Sequence, residues 1–276
     1  MLAARNLAKA WLLLVGFCAA FAGLGWLLGG YRFASLFLFC ALLTAGGLAF
    51  YADRVALGMV GARELPLAEA PAVHSTVERL ALLGGVPKPR LFVLPGPYPR
   101  GLSAGRGARG AAIAVSSGLV GLLTPAELEG VLAHEVAKIA NRDVTVQTPA
   151  VVLAAMVIET SRIGGWLERG LLFLLGPVAA AFLHLLLTQK REFAADRVAA
   201  GLCGSPHGLA DALIRLEQTE ELFEFAASPA TEPLYTVNPF AEEGLAALFV
   251  THPPVADRVR RLRTLDPSWR EKLRAA

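Results

Sequence analysis

The apolar positions of the chain are concentrated in long uncharged runs rather than spread in a periodic pattern. The first run extends from Trp11 to Leu28 and the second from Phe33 to Ala52, with Gly29-Gly30-Tyr31-Arg32 between them. About 18 consecutive apolar residues are enough to propose a membrane-spanning helix. The pattern therefore predicts a transmembrane hairpin over residues 1–57.

Basic residues flank this hairpin on both sides. Arg5 and Lys9 precede it, and Arg54 and Arg63 follow it. Because cytoplasmic flanks are enriched in lysine and arginine, both ends of the hairpin are expected in the cytoplasm. The alternative is a signal peptide with Arg5 and Lys9 as its basic start, but the first run is long for such a segment and a second run follows at once.

A second apolar zone lies in the middle of the chain. Val144–Ile158 and Gly170–Gln189 are uncharged runs joined by a polar turn, and they predict a second hairpin inserted over residues 144–188. His184 lies inside the second of these runs. We expect it to be packed or hydrogen-bonded, although a lone histidine in a span also draws attention as a functional residue.

The remaining segments, 58–143 and 189–276, have the mixed composition of a cytoplasmic domain. Ala72–Leu83 has the spacing of an amphipathic helix, and Leu91–Leu94 and Ala111–Ser116 are short strand candidates. The glycine-rich stretch Gly101–Gly110 is not followed by Gly-Lys-Ser/Thr, so it does not match a phosphate loop. A turn or substrate-facing loop is expected there.

Composition narrows the class of protein further. Of the 276 residues, 55% are hydrophobic and only 18% are charged, which suits a membrane protein better than a soluble one. The net charge of +3 is spread along the chain, so no basic face for nucleic acid is indicated. Cys18, Cys40 and Cys203 form no close pair in sequence, which argues against a disulfide framework.

The most informative stretch is Leu123–Asp143, which reads as one helix. Thr124 and Glu127 have the spacing of a capping box. His134-Glu135 then begins the zinc-peptidase signature His-Glu-x-x-His, in which two imidazoles four residues apart share one helix face and converge on a metal. The fourth-residue partner here is Lys138. The helix is therefore built for zinc chemistry but has a lysine where the second imidazole belongs.

The order of motifs along nearly the whole chain resembles that of the HtpX-type membrane zinc metallopeptidases, which are related to the CAAX-prenyl peptidases. The motifs that carry the resemblance are GLVGLLTPAELEGVLAHE followed by IANRD, QKREFAADRVAA, PATEPLYTVNPF and FVTHPPVADRVRRL, together with the hairpins. The resemblance implies a mainly α, polytopic membrane protein with two transmembrane hairpins and a zincin-like α+β cytoplasmic domain containing a small sheet.

The family pattern also implies roles at matching positions. His134 and Glu192 would be zinc ligands, and Glu135 the general base that takes a proton from zinc-bound water. Asp196 would orient the His134 ring, and His252 and Arg258 would lie near the site and stabilise the oxyanion. The substrate segment would pair with the backbone of an edge strand formed by Ala111, Ala112, Ile113, Ala114 and Val115.

The chain departs from this pattern at two places. Lys138 stands at the position of the second histidine ligand, and Arg100-Gly101-Leu102-Ser103 replaces the usual Asn-Ala-Phe-Ala. Three outcomes remain open for Lys138. It leaves a weak zinc site, or it loses its proton and binds the metal, or its ammonium takes the place of the metal between Glu192 and Glu135. The last is physically the easiest, because facing carboxylates need a cation.

Two functions follow as alternatives. The first is a zinc endopeptidase of membrane-protein quality control, with one zinc per chain, which cleaves membrane-protein or unfolded polypeptide substrates at the cytoplasmic face of a bacterial inner membrane. The second is a pseudopeptidase that keeps the cleft and binds without hydrolysis. A channel or transporter is disfavoured, because the spans lack paired intramembrane charges.

Overall fold

The computed structural model describes residues 2–162, 168–220, 229–238 and 246–266. The helices in these ranges are α1 (Leu2–Met59), α2 (Pro71–Leu83), α3 (Ser117–Leu122), α4 (Pro125–Ala140), α5 (Asp143–Arg162), α6 (Glu168–Leu186), α7 (Lys190–Cys203), α8 (His207–Glu220) and α9 (Val255–Thr264). The strands are β1 (Arg63–Glu64), β2 (Arg90–Leu94), β3 (Gly101–Gly105) and β4 (Ala111–Ser116). Short 3-10 turns lie at Ala108–Gly110, Pro229–Leu234 and Ala246–Phe249. Within these ranges the chain is mostly helical with a small mixed sheet.

Helix α1 is broken at two adjacent glycines. Gly29 and Gly30 have non-helical backbone angles, and Gly30 has φ of 66°, a conformation that glycine adopts without steric cost. The rings of Phe21 and Phe37 lie 6.4 Å apart, whereas one straight helix would separate them by roughly 24 Å. The two halves of α1 therefore run side by side. Among the described residues, α1 is the one helix that passes a test of length and apolar composition for crossing a membrane, over Val15–Leu48.

Helices α5 and α6 lie where the sequence predicts the second hairpin. They pack against each other, and α5 also packs against α1 and the 3-10 turn at Pro229–Leu234. Most described side chains of α5 from Val144 to Ile158 are buried by these neighbours. The connection over residues 163–167 lies outside the described residues. Insertion of this pair in a membrane stays a prediction.

The sheet corrects two sequence predictions. Its strand order is β1-β2-β4-β3, so β4 is an interior strand, parallel to β2 and antiparallel to β3. The prediction that Ala111, Ala112, Ile113, Ala114 and Val115 form the edge strand is wrong, because both backbone edges of β4 are paired. The glycine-rich stretch predicted as a loop instead supplies the edge strand β3, whose Leu102 and Ala104 side chains are buried. The prediction of strands at β2 and β4 is confirmed.

The sheet separates two apolar clusters because successive strand side chains point to opposite faces. Ile113 and Val115 pack with the cluster that contains residues of α2, α4, α7, α8 and α9. Ala112 and Ala114 pack with the cluster that contains residues of α1, α5 and α6. Helix α4 thus lies against the first face of the sheet, next to the edge strand β3.

Candidate active site

A capping box defines the start of α4, the helix that carries the candidate catalytic residues. Thr124 Oγ1 accepts a hydrogen bond from the Glu127 backbone N–H at 3.4 Å, and Glu127 Oε2 accepts one from the Thr124 N–H at 2.7 Å. This confirms the predicted capping box. The helix continues through His134, Glu135 and Lys138, and all three side chains are fully buried.

Helix α7 places two carboxylates around the His134 ring. Glu192 and Asp196 are one helical turn apart and share a face. Glu192 Oε2 lies 3.3 Å from His134 Nε2, and Asp196 Oδ1 lies 2.9 Å from His134 Nδ1. Burial lowers the pKa of His134, but the nearby carboxylates of Asp196 and Glu192 outweigh burial and raise it above its usual value. The structure thus brings together the residues expected to bind the metal and to orient the ring.

Arg258 of α9 holds the Asp196 carboxylate in this arrangement. Its Nε and one terminal nitrogen donate to the two oxygens of Asp196, at 2.9 and 2.7 Å, and its other terminal nitrogen donates to the Thr236 carbonyl at 2.6 Å. Burial alone would raise the pKa of Asp196, but the guanidinium outweighs burial and holds that pKa below its usual value. In this arrangement Arg258 orients Asp196, which in turn contacts His134.

Two buried polar atoms face each other without a hydrogen-bond partner. They are His134 Nε2 and Glu192 Oε2, the pair separated by 3.3 Å. Two ligand atoms on a tetrahedral zinc, each about 2.05 Å from the metal, would also lie about 3.3 Å apart. This pair therefore fits two corners of a zinc site.

Lys138 does not supply the third corner. Its ammonium donates to the Leu234 carbonyl at 3.0 Å and lies 3.5 Å from Glu135 Oε2. The other oxygen of that carboxylate accepts a hydrogen bond from Thr236 Oγ1 at 2.7 Å. Burial would raise the pKa of Glu192, but the charges of His252 and Lys138 outweigh burial and hold it well below its usual value. The Lys138 ammonium thus lies against Glu135, and its charge also helps to lower the pKa of Glu192.

His252 is close to the site but is not placed as a replacement ligand. Its Nε2 lies 3.8 Å from Glu192 Oε2 and 3.0 Å from the Tyr235 carbonyl, while its Nδ1 lies 2.6 Å from Glu232 Oε1. Both ring nitrogens already lie within hydrogen-bond distance of oxygen atoms of the chain. Across the described ranges, no group of three or more His, Cys, Asp or Glu side chains is arranged to hold a metal ion. The residues present do not fit a complete zinc site.

A family model, Peptidase family M48, matches residues 67–266 of the chain. The chain belongs to peptidase family M48. The match covers strands β2, β3 and β4, α4 with His134 and Glu135, and the segments that carry Glu192 and Arg258.

Individual relatives support this M48 assignment over nearly the full length. The chain is 36% identical over 278 residues to a protease HtpX homolog of Pelotomaculum thermopropionicum, covering 94% of this chain and 99% of the relative. A protease HtpX homolog of Persephonella marina is 37% identical, with 86% and 90% covered. The predicted resemblance to HtpX-type proteins is confirmed.

A solved structure shows the same fold at low sequence identity. S. mikatae Ste24p matches with a TM-score of 0.50 and 18% identity, over 95% of this chain and 66% of that protein. At this identity the match concerns the fold alone.

Sequence reasoning missed the residues that hold the loops of this M48 site together. Glu232 accepts hydrogen bonds from the backbone N–H groups of Thr251 and His252 and from the Thr251 hydroxyl. Arg191, next to Glu192, donates to Asp143 at 2.9 Å and thereby joins α7 to the start of α5. Glu232 lies in the motif PATEPLYTVNPF, but a motif alone gives no contact partner. Only tertiary packing identifies these contacts.

Proposed function

We propose that this chain is an HtpX-like membrane M48 protein that binds polypeptide segments in its cleft and whose peptide-bond hydrolysis is impaired by Lys138. Residues 1–57 and 144–188 are the two transmembrane hairpins of this proposal. Residues 58–143 and 189–276 form the zincin-like domain, on the cytoplasmic side of a bacterial inner membrane together with both termini. The apolar helix α1 and its basic flanks support this arrangement.

The observation that carries the proposal is the position of the Lys138 ammonium. It is fully buried, it donates to the Leu234 carbonyl, and it lies 3.5 Å from Glu135 Oε2. An ammonium has three donors and no lone pair, so it cannot bind a metal unless it loses a proton. The Lys138 ammonium therefore stands beside Glu135 at the position where the family pattern has a second metal-binding imidazole.

A zinc peptidase of low activity is the second candidate, and one observation favours it. The facing atoms His134 Nε2 and Glu192 Oε2 have the spacing of two zinc ligands, and neither has a hydrogen-bond partner. In this alternative Glu135 is the base and His252 and Arg258 stabilise the oxyanion. The substrates would be membrane proteins or unfolded polypeptides, as in quality control.

The two candidates are separated by measuring binding and cleavage on the same purified protein. The full chain in detergent is incubated with fluorescein-labelled casein, and polarisation reports binding while release of acid-soluble fluorescence reports cleavage. We expect binding without cleavage. Lys138→His should gain zinc-dependent cleavage, and Lys138→His/Glu135→Gln is the matched control that should lose it. Zinc-dependent turnover by the unaltered chain would contradict the proposal.

A further inference from the structure

The outer edge of β3 is occupied by the chain itself. An isolated antiparallel bridge pairs Leu102 of β3 with Tyr235, and the Thr236 N–H donates to the Gly101 carbonyl at 2.9 Å. At the other end of β3, the Gly105 N–H donates to Thr148 Oγ1, also at 2.9 Å. An extended peptide that adds to a sheet needs these same backbone groups. We call residues 230–237 the internal peptide.

Three consecutive carbonyl groups of the internal peptide are held by side chains from the site. Gln147 donates to the Pro233 carbonyl, Lys138 donates to the Leu234 carbonyl at 3.0 Å, and His252 Nε2 lies 3.0 Å from the Tyr235 carbonyl. These three side chains come from three separate parts of the chain. These three contacts hold backbone carbonyl groups, as an enzyme cleft holds an extended polypeptide.

Glycine at position 101 permits this close approach. A Cβ added to Gly101 would lie 3.0 Å from Thr236 Oγ1 and 3.3 Å from a Leu119 methyl carbon. At these distances Thr236 or Leu119 must shift by a few tenths of an ångström, so a larger residue at position 101 loosens the contact between β3 and the internal peptide. The two departures from the family pattern are Lys138 and the segment 100–103, and both Lys138 and Gly101 of that segment contact the internal peptide.

We propose that the internal peptide is a built-in occupant of the peptide-binding edge, and that it must leave β3 before an external polypeptide can pair there. This inference rests on the proposed peptide-binding function and adds its regulation. Lys138 holds the internal peptide on β3, because its ammonium joins α4 directly to the middle of the internal peptide.

Hydrogen exchange on the full chain in detergent tests the opening without any ligand. We expect the amide of Thr236 to exchange faster than the central amides of α4, which open only with the domain. Lys138→Met and Gly101→Ala should each speed exchange at Thr236 about tenfold more than they speed exchange in α4. Lys88→Met and Gly201→Ala, which alter exposed positions far from the internal peptide, are the matched controls. Exchange at Thr236 at the rate of α4 in every variant would overturn the inference.

A disulfide tests the consequence for binding. Directly paired residues of antiparallel strands have Cα atoms about 4.5–5.5 Å apart, within the range of a disulfide. Leu102→Cys/Tyr235→Cys, in a chain whose native cysteines are replaced by alanine, should therefore oxidise readily. Failure of the pair to oxidise would contradict the bridge on which the inference depends.

Binding of fluorescein-labelled casein is then compared in the oxidised and reduced forms. We expect oxidation to weaken binding at least tenfold and reduction to restore it. Equal binding in both forms would overturn the inference and leave the peptide-binding function standing. Absence of binding in both forms would remove that function and the inference with it. Zinc-dependent cleavage by the unaltered chain would overturn only the claim of impaired hydrolysis.

Discussion

Lys138→His should convert the site into one that binds zinc. The second imidazole would lie one helical turn after His134 on the same face of α4. The Lys138 side chain now occupies this position, where it contacts Glu135 and the Leu234 carbonyl. Together with Glu192 this gives three ligand side chains. Without metal we expect the variant to be less stable by about 1–3 kcal/mol, because a buried carbonyl loses its donor.

Zinc should restore most or all of this stability. A ligand present at about 100 times its Kd stabilises the folded state by about 2.7 kcal/mol. For a domain of about 200 residues, each kcal/mol moves the Tm by roughly 2–4 °C, so a rise of roughly 5–11 °C is expected. Thermal unfolding of the full chain in detergent, with zinc or with a chelator, measures this difference.

Two variants serve as controls for the zinc effect. Lys138→Met removes the ammonium without adding a ligand, and Lys138→His/Glu192→Gln restores the imidazole but weakens the third ligand. Neither should gain more than a small part of the zinc-dependent rise. If zinc stabilises the unaltered chain as much as Lys138→His, or stabilises neither, the assignment of this site is refuted.

Three further predictions concern groups around the site. Arg258→Met leaves Asp196 buried without its cation, so it should lower the free energy of unfolding, measured in urea, by about 3–5 kcal/mol. The double variant Arg258→Met/Asp196→Asn should lose less stability, and equal losses would contradict this charge argument. Burial raises the pKa of Cys203 to about 11, so its alkylation at pH 8 should be roughly 200 times slower than that of an ordinary thiol. The alkylation rate should rise about tenfold per pH unit, and a rate typical of an exposed cysteine would contradict this prediction. Gly130→Ala should lower stability by about 1–3 kcal/mol, because its Cβ would lie 2.5 Å from the backbone of α8. Gly201→Ala, with open space around it, should raise stability by up to about 1 kcal/mol. Similar changes in the two variants would show that the backbone of α8 moves away from position 130 without loss of stability.

The local parts of this site were readable from the sequence. The capping box at Thr124, and the helix-face spacing of Glu192 and Asp196, depend on residues close together in the chain. The family pattern placed Arg258 and His252 near these residues, and the structure brings them there. Such short-range signals survive without knowledge of the tertiary fold.

The parts that sequence reasoning got wrong depend on long-range pairing. The sequence predicts a glycine-rich loop where the strand β3 lies, because small residues have low strand propensity in isolation. Its pairing with β4 and burial of Leu102 override that propensity. The contact between Lys138 and the Leu234 carbonyl joins residues 96 positions apart, which no local pattern can reveal. The edge of the sheet was misassigned for the same reason.

The most direct test of the central claim is the zinc content of the unaltered full chain. The protein is purified in detergent, equilibrated with zinc, exchanged into metal-free buffer and measured by elemental analysis, with Lys138→His treated in parallel. We expect essentially no zinc in the unaltered chain and about one zinc per chain in the variant. About one zinc per chain in the unaltered protein would show that the Lys138 ammonium does not take the place of the metal.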